Sequence, residues 1–424
     1  ASALRPSIGL RAFCVKEKVM QSTVTIRDYP CGSGKTTSMI EGFRSDRKYL
    51  VIVPLLTEVN RVIEWSKSVP FQQPHANDNN APTKTEHLEN MVLQGQNIVA
   101  THSLFERLVP IARQGLLSDY DIIIDEVPEV VRSVSSKSKV SIEEFYLNTG
   151  YMTVDTKTGL VRPTNKWWSM RDDVDDTLST SILTYANTGC LYLLEGHLFI
   201  WAMPKELLTA GRTTTILTYK SNGSVLSSYL KKLNVPVEVA NDNQCEEAFR
   251  KKAAELITIK DIPALSRLSL SHSGQLAGMT KSNYCRTVVN ALKNLRGRQL
   301  KDVPAENILI TCAKDGWHKK GNVDVAGPFA SGSKLFQGAN WVAKITRGTN
   351  DYAHCSHLIY LYDQHMNPYV ARWLEDNSRA FDDAYALTEL IQWVWRSRVR
   401  KGQPITLYLP SPRMRMLMEE WLGL

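Results

Sequence analysis

Two short stretches concentrate the residue types that phosphate chemistry needs. The first is Pro30-Cys31-Gly32-Ser33-Gly34-Lys35-Thr36-Thr37. Glycines at 32 and 34 let backbone N–H groups approach phosphate oxygens, and the helix that can start at Ser38-Met39-Ile40 adds a favourable dipole. Lys35 has the reach for β- and γ-phosphates, and the Thr36 hydroxyl suits Mg²⁺. Gly32, Ser33, Gly34, Lys35, Thr36 and Thr37 are therefore the candidate nucleotide-binding residues. The full Walker A pattern asks for a small residue five positions before Gly34, and Tyr29 stands there. The second stretch is Asp121-Ile122-Ile123-Ile124-Asp125-Glu126, an apolar run that ends in two adjacent carboxylates. Asp125 can serve the metal and Glu126 can polarise an attacking water, the two tasks of in-line phosphoryl transfer. Each stretch alone has a plainer alternative: a glycine turn that happens to carry a lysine, or a strand running into a solvated turn. Together they support one another.

Such groups need a scaffold that brings strand ends to one edge. Short β-rich runs at 22–28, 48–54, 97–101, 121–125 and 213–218 alternate with helical stretches, the pattern of a parallel sheet wrapped by helices. In open α/β sheets the ligand sits at the carboxyl ends of the strands. A second set is expected at 235–240, 256–259, 307–311, 341–346, 357–362 and 405–409. The expected organisation is an α/β chain with an N-terminal extension (1–20), a first domain (21–235) and a second domain (236–424). Between about 143 and 206 the rhythm gives way to turn-rich sequence carrying Trp167, Trp168 and Trp201, with Lys166 and Arg171 nearby, and this reads as an insertion in the first domain. Those rings either stack bases beside cations or fill the insertion's own core.

Bulk properties set the frame. The chain has 424 residues with 43% hydrophobic and 22% charged residues, the balance of a soluble enzyme with room for two or three domains. A net charge of +8 suits a polyanionic partner such as nucleic acid. Seven scattered cysteines without a C-x-x-C pair argue against a disulfide framework or a structural zinc site, and fit a reducing compartment such as the cytoplasm. No apolar run has membrane-spanning length, so no membrane partner is expected. His354, Cys355 and His357 read as a chance surface group rather than a metal site, and the Asp172–Asp176 stretch as an acidic turn.

With the two phosphate motifs in place, the chain resembles superfamily 2 helicases, especially the compact helicase-like replication proteins of bacteriophages. Leu50-Val51-Ile52-Val53-Pro54-Leu55-Leu56-Thr57-Glu58-Val59 looks like motif Ia, and Ile98-Val99-Ala100-Thr101-His102-Ser103-Leu104-Phe105 like motif Ib. Thr213-Thr214-Thr215-Ile216-Leu217-Thr218-Tyr219 occupies the place of motif III. Asn307-Ile308-Leu309-Ile310-Thr311 resembles motif IV, and Ile345-Thr346-Arg347-Gly348-Thr349-Asn350-Asp351-Tyr352 resembles motif V. Gln392-Trp393-Val394-Trp395-Arg396-Ser397-Arg398-Val399-Arg400 resembles motif VI, Q-x-x-G-R-x-x-R. Arg396 falls on its first arginine, whereas Val399 takes the place of the second between Arg398 and Arg400. The resemblance implies two RecA-like domains in tandem with the insertion between motifs II and III, ATP and Mg²⁺ in the cleft between the domains, and Arg396 with Arg398 or Arg400 meeting the γ-phosphate. It also implies a nucleic-acid track over Pro54, Thr101, His102, Thr311, Thr346, Arg347 and Asn350, with single-stranded DNA preferred over RNA, replication proteins as partners, and the cytoplasm of a bacterial host as the location. An ATPase or clamp without strand separation, and an RNA helicase, are the alternatives.

Overall fold

The computed structural model describes residues 23–76, 83–134, 141–170, 180–331, 336–345 and 351–424. Chain order begins with β1 (Val24–Asp28), β2 (Lys48–Val53), β3 (Ile98–Thr101) and β4 (Tyr120–Asp125). An excursion then adds β5 (Val131–Val134), β6 (Met152–Val154), β7 (Val161–Pro163), β8 (Leu191–Leu194) and β9 (Leu198–Ala202). The chain re-enters at β10 (Thr213–Thr218) and continues to β11 (Val237–Asn241). These build a parallel sheet in the order β11-β1-β10-β4-β2-β3. Inside it, β2 is buried on both faces from Tyr49 to Val53, which is why it reads as an unbroken apolar run there. Leu50 and Ile52 enter the core on one face, while Tyr49, Val51 and Val53 enter the core on the other.

The second sheet uses β12 (Ile257–Lys260), β13 (Ile308–Thr311), β16 (Asn340–Trp341), β17 (His357–Tyr360) and β18 (Ile405–Tyr408) in the parallel order β12-β18-β17-β13-β16. The exposed hairpin of β14 (His318–Lys319) and β15 (Asn322–Ala326) leaves it between β13 and β16. Helices Asn243–Leu256, Arg379–Val394 and Pro412–Leu422 cover one face around Trp393, Trp395 and Trp421.

Two expectations are corrected here. The strand near 235–240 does not open the second sheet: β11 pairs with β1, from Val24↔Val237 to Asp28↔Asn241, and completes the first. The crossover follows it, where Asp242 caps the helix Asn243–Leu256 through the N–H groups of Gln244 and Cys245. β11 is an edge strand with exposed Val237 and Val239, so its sequence carries little of the buried signature of its neighbours. The antiparallel excursion also starts before 143, because β5 already pairs with β9 in the sheet β5-β9-β8. That excursion has its own core of Tyr146, Trp167, Ile182 and Phe199. Trp167 is 4% exposed and Trp201 is 1% exposed, so neither can stack on a base, whereas Trp168 is 40% exposed. The Arg132 guanidinium lies 3.8 Å from the Trp201 ring centroid and pairs with Glu106 at 3.0 Å, tying β5 and β9 to the first domain.

Candidate functional site

The phosphate loop leaves the carboxyl end of β1. Gly32 and Gly34 hold φ of +79° and +82°, where a Cβ would cost roughly 1–2 kcal/mol. The loop's foot is fixed by Asp28, whose carboxylate accepts from the Lys220 and Ser221 N–H groups and the Ser221 hydroxyl, each at 2.7 Å. Tyr29, the departure from the motif, contributes backbone: its N–H donates to the Thr218 carbonyl and its carbonyl accepts from Lys35. The loop therefore closes with a large residue at that position. The Lys35 ammonium also donates to the Pro30 carbonyl at 3.2 Å.

The two motifs meet. Thr36 Oγ1 donates to Asp125 Oδ2 at 2.8 Å, across a sheet in which β10 stands between β1 and β4. Asp125 is buried, and burial with the neighbouring Glu126 charge pushes its carboxyl up to about 6, against the pull of Thr36 and Arg61. This hydroxyl–carboxylate pair is an oxygen donor set of the kind a hard divalent cation takes, so it fits Mg²⁺. Glu126 turns away from β4 with φ of +64°, held by its N–H to the Leu217 carbonyl at 3.0 Å. Left-handed backbone at a non-glycine residue is strained and concentrates at working sites.

The opposite wall comes from the second domain. Arg396, Arg400, Gln392 and Trp395 line the same cleft as Gly32–Thr37, Asp125 and Glu126. Arg396 is buried, and the Arg400 stem lies 3.9 Å from the position a Cβ on Gly32 would take. Arg398 points elsewhere, donating from Nε to the Pro404 carbonyl at 2.6 Å. Trp395 packs on Phe249 and Trp421, and Trp393 on Tyr360, which accounts for both rings as core.

Of three further cleft residues, Arg61 lies outside every motif, while Glu58 in motif Ia and Tyr219 at the end of the motif III segment were given no role there. Glu58 and Arg61 form an ion pair at 2.6 Å on the helix Leu56–Trp65 and line the cleft. Their i,i+3 spacing was a visible signal for the pair, though not for its location. Tyr219, just past β10, donates its hydroxyl to Glu246 Oε1 at 2.8 Å and so joins the two domains beside the phosphate loop.

A second groove runs along the carboxyl edge of the first sheet, faced by helix Arg379–Val394, and shares Pro54, Tyr219 and Gln392 with the cleft. Of the residues expected to grip nucleic acid, Pro54 and His102 line this groove, and Thr101 lines a shallower pocket beside it. His102 Nε2 also bonds to the Asp125 carbonyl at 3.0 Å, linking groove to cleft. Thr311 is a correction: it is fully buried at the end of β13, between β17 and β16, and cannot reach a ligand. Thr346, Arg347 and Asn350 lie outside the described residues. Among the described residues there is no metal-binding group of three His, Cys, Asp or Glu side chains, and no helix long and apolar enough to cross a membrane.

The fold defines a class, a pair of RecA-like α/β domains in tandem facing one another across a cleft. Solved structures of apo XPD (13% identical, TM-score 0.53, covering 95% of each chain) and XPD helicase (12% identical, TM-score 0.51, covering 95% of this chain and 94% of that one) share it. In sequence, the chain is similar to the SPbeta prophage-derived uncharacterized protein YonV of Bacillus subtilis (strain 168), at 24% identity over 421 residues, 94% of this chain and 98% of that protein. Residues 251–422 match the family described as the YonV C-terminal Rossmann-like domain.

Proposed function

We propose that the chain is an ATP-driven nucleic-acid motor, a helicase or translocase that hydrolyses ATP between its two domains. The observation that carries this reading is the 2.8 Å contact of Thr36 with Asp125 in a cleft whose far wall holds Arg396 and Arg400. Gly32–Thr37 cradle the triphosphate, and Lys35 exchanges the carbonyls of Tyr29 and Pro30 for phosphate oxygens. Thr36 and Asp125 would hold Mg²⁺, which would offset negative charge on the phosphates. Glu126 orients the attacking water, while Arg396 and Arg400 meet the charge on the transferring phosphoryl group. The second domain begins after β11, so the crossover near Asp242 is the hinge. Nucleic acid follows the groove past Pro54 and His102, near Thr101. The choice of single-stranded DNA over RNA and of a role in replication follows the motifs' resemblance to bacteriophage replication helicases. The test is ATP hydrolysis with and without single-stranded DNA, duplex DNA and RNA. Single-stranded DNA should stimulate most, and a folded protein that hydrolyses no ATP in any of them would defeat the proposal.

A further inference from the structure

Among the described residues, the first domain lines the phosphate cleft with the cations Lys35 and Arg61. Lys35 belongs to the phosphate loop. Arg61 stands in the middle of the helix Leu56–Trp65, which follows β2 after Pro54 and Leu55. The strand order decides where that helix meets the cleft. β1 carries the phosphate loop and β4 carries Asp125 and Glu126, while β2 lies on the far side of β4 from β1. Arg61 therefore reaches the cleft from beyond Asp125, opposite the loop. It is near enough to act on that carboxylate: its charge pulls the Asp125 carboxyl down, against burial and the charges of Glu126 and Glu58.

The Arg61 guanidinium is held in place but only partly satisfied. Its Nη2 meets Glu58 Oε2 at 2.6 Å, and its central carbon lies 5.5 Å from the Trp65 ring centroid, so neighbours on the same helix flank it on both sides. Its Nε is buried and has no hydrogen-bond partner among the described residues. Donors of a charged group left unmet in a buried setting are unfavourable. The side chain keeps 23% exposure, and the cleft is the opening it lines. A phosphate suits such a group, because the planar fork of N–H groups matches its oxygens. The backbone of a phosphate loop cradles the inner phosphates of a nucleotide, so the outermost one lies toward the metal-binding pair and, here, toward Arg61. We infer that Arg61 binds the terminal phosphate from the first domain's side and makes the site prefer a triphosphate over a diphosphate. The inference rests on the reading of this cleft as an ATP site. It gives Arg61 a task distinct from that of Arg396 and Arg400. Those two come from the second domain and meet charge during transfer, whereas Arg61 shares a domain with the phosphate loop and acts on binding.

The experiment measures nucleotide preference. ATP and ADP are titrated by calorimetry, with Mg²⁺ and without nucleic acid, into the full-length chain carrying Glu126→Gln, in which bound ATP should persist. The same titrations are made with Arg61→Ala or Arg61→Gln added to that chain. Arg61→Gln keeps an unbranched polar side chain on the helix, and it is the variant read where Arg61→Ala gives no cooperative melt. Loss of Arg61 should weaken ATP binding by about 10- to 100-fold, the equivalent of one hydrogen bond to a charged group, and leave ADP binding within about twofold. ATP affinity that stays at the parent value would overturn the inference. An equal loss of ATP and ADP would also overturn it, because Arg61 would then only shape the pocket. A parent chain that binds neither nucleotide would defeat the ATP-site reading itself, and the inference would fall with it.

Discussion

Arg400→Ala and Arg398→Ala form a paired test of which guanidinium serves the phosphoryl group. Arg400 lies over the phosphate loop, its stem 3.9 Å from the Cβ position of Gly32. Arg398, two residues away, is bound at Nε to the Pro404 carbonyl at 2.6 Å, and its N–H donates to the Cys355 carbonyl at 3.1 Å. A guanidinium supplied across a cleft to a transferring phosphoryl group contributes about 10³–10⁵ in turnover, or roughly 4–7 kcal/mol at ~1.4 kcal/mol per decade. Arg396 also lines the cleft and stays in place when Arg400 is removed, so the lower end, about 10³, is the expected loss. Arg398→Ala removes one hydrogen bond at a partly exposed position, costing about 1 kcal/mol of stability and leaving turnover near the parent value. Steady-state turnover, binding of a fluorescent ATP analogue and a thermal melt separate chemistry, affinity and folding. The reasoning fails if Arg398→Ala abolishes turnover while Arg400→Ala retains it.

Further outcomes follow from the same geometry. Lys35→Ala should stop ATP turnover without unfolding the chain, and Glu126→Gln should bind ATP yet hydrolyse it slowly; single-turnover kinetics would contradict these roles if Glu126→Gln lost binding but kept its chemical step. Trp167→Ala, which empties the insertion's core, should cost about 3–5 kcal/mol in a denaturant melt, whereas Trp168→Ala should leave stability unchanged and slow only strand separation. An equal loss of stability in both would put Trp168 in the core as well. The Asp125 carboxyl, pushed up to about 6, keeps its proton below that pH, so Mg²⁺ affinity should fall as pH drops through 6, by about tenfold per unit further down. Calorimetric titrations from pH 7 to 5 check this, and an unchanged affinity would show that Asp125 does not ligate the cation. Nucleic-acid affinity should weaken steeply with salt and vary little with sequence; a flat salt dependence in a fluorescence-anisotropy titration would argue against phosphate contacts.

The phosphate loop and the Asp-Glu pair were legible because their chemistry is local. Gly32, Gly34, Lys35 and Thr36 are neighbours in the chain, and a strand–turn–helix needs no distant partner to be recognised. The continuous apolar run of β2 announced a doubly covered parallel strand for the same reason. Other features depended on which surface packs against which. Thr36 and Asp125 are brought together only by the order β1-β10-β4, a property of the sheet and of neither segment. Of two adjacent tryptophans on one helix, Trp167 turns inward and Trp168 outward, a phase that a six-residue helix cannot set without its neighbours. Thr311 has the sequence of an exposed strand end but is covered by the rest of its domain, and β11 belongs to the first sheet because its register with β1 outweighs its exposed composition. Arg398 and Arg400 are chemically alike, and the turn Arg398–Lys401 sends one to Pro404 and the other over the phosphate loop. Helix Pro368–Leu374 carries no motif at all. Its apolar face found a partner in the other domain, a long-range pairing that local sequence does not encode.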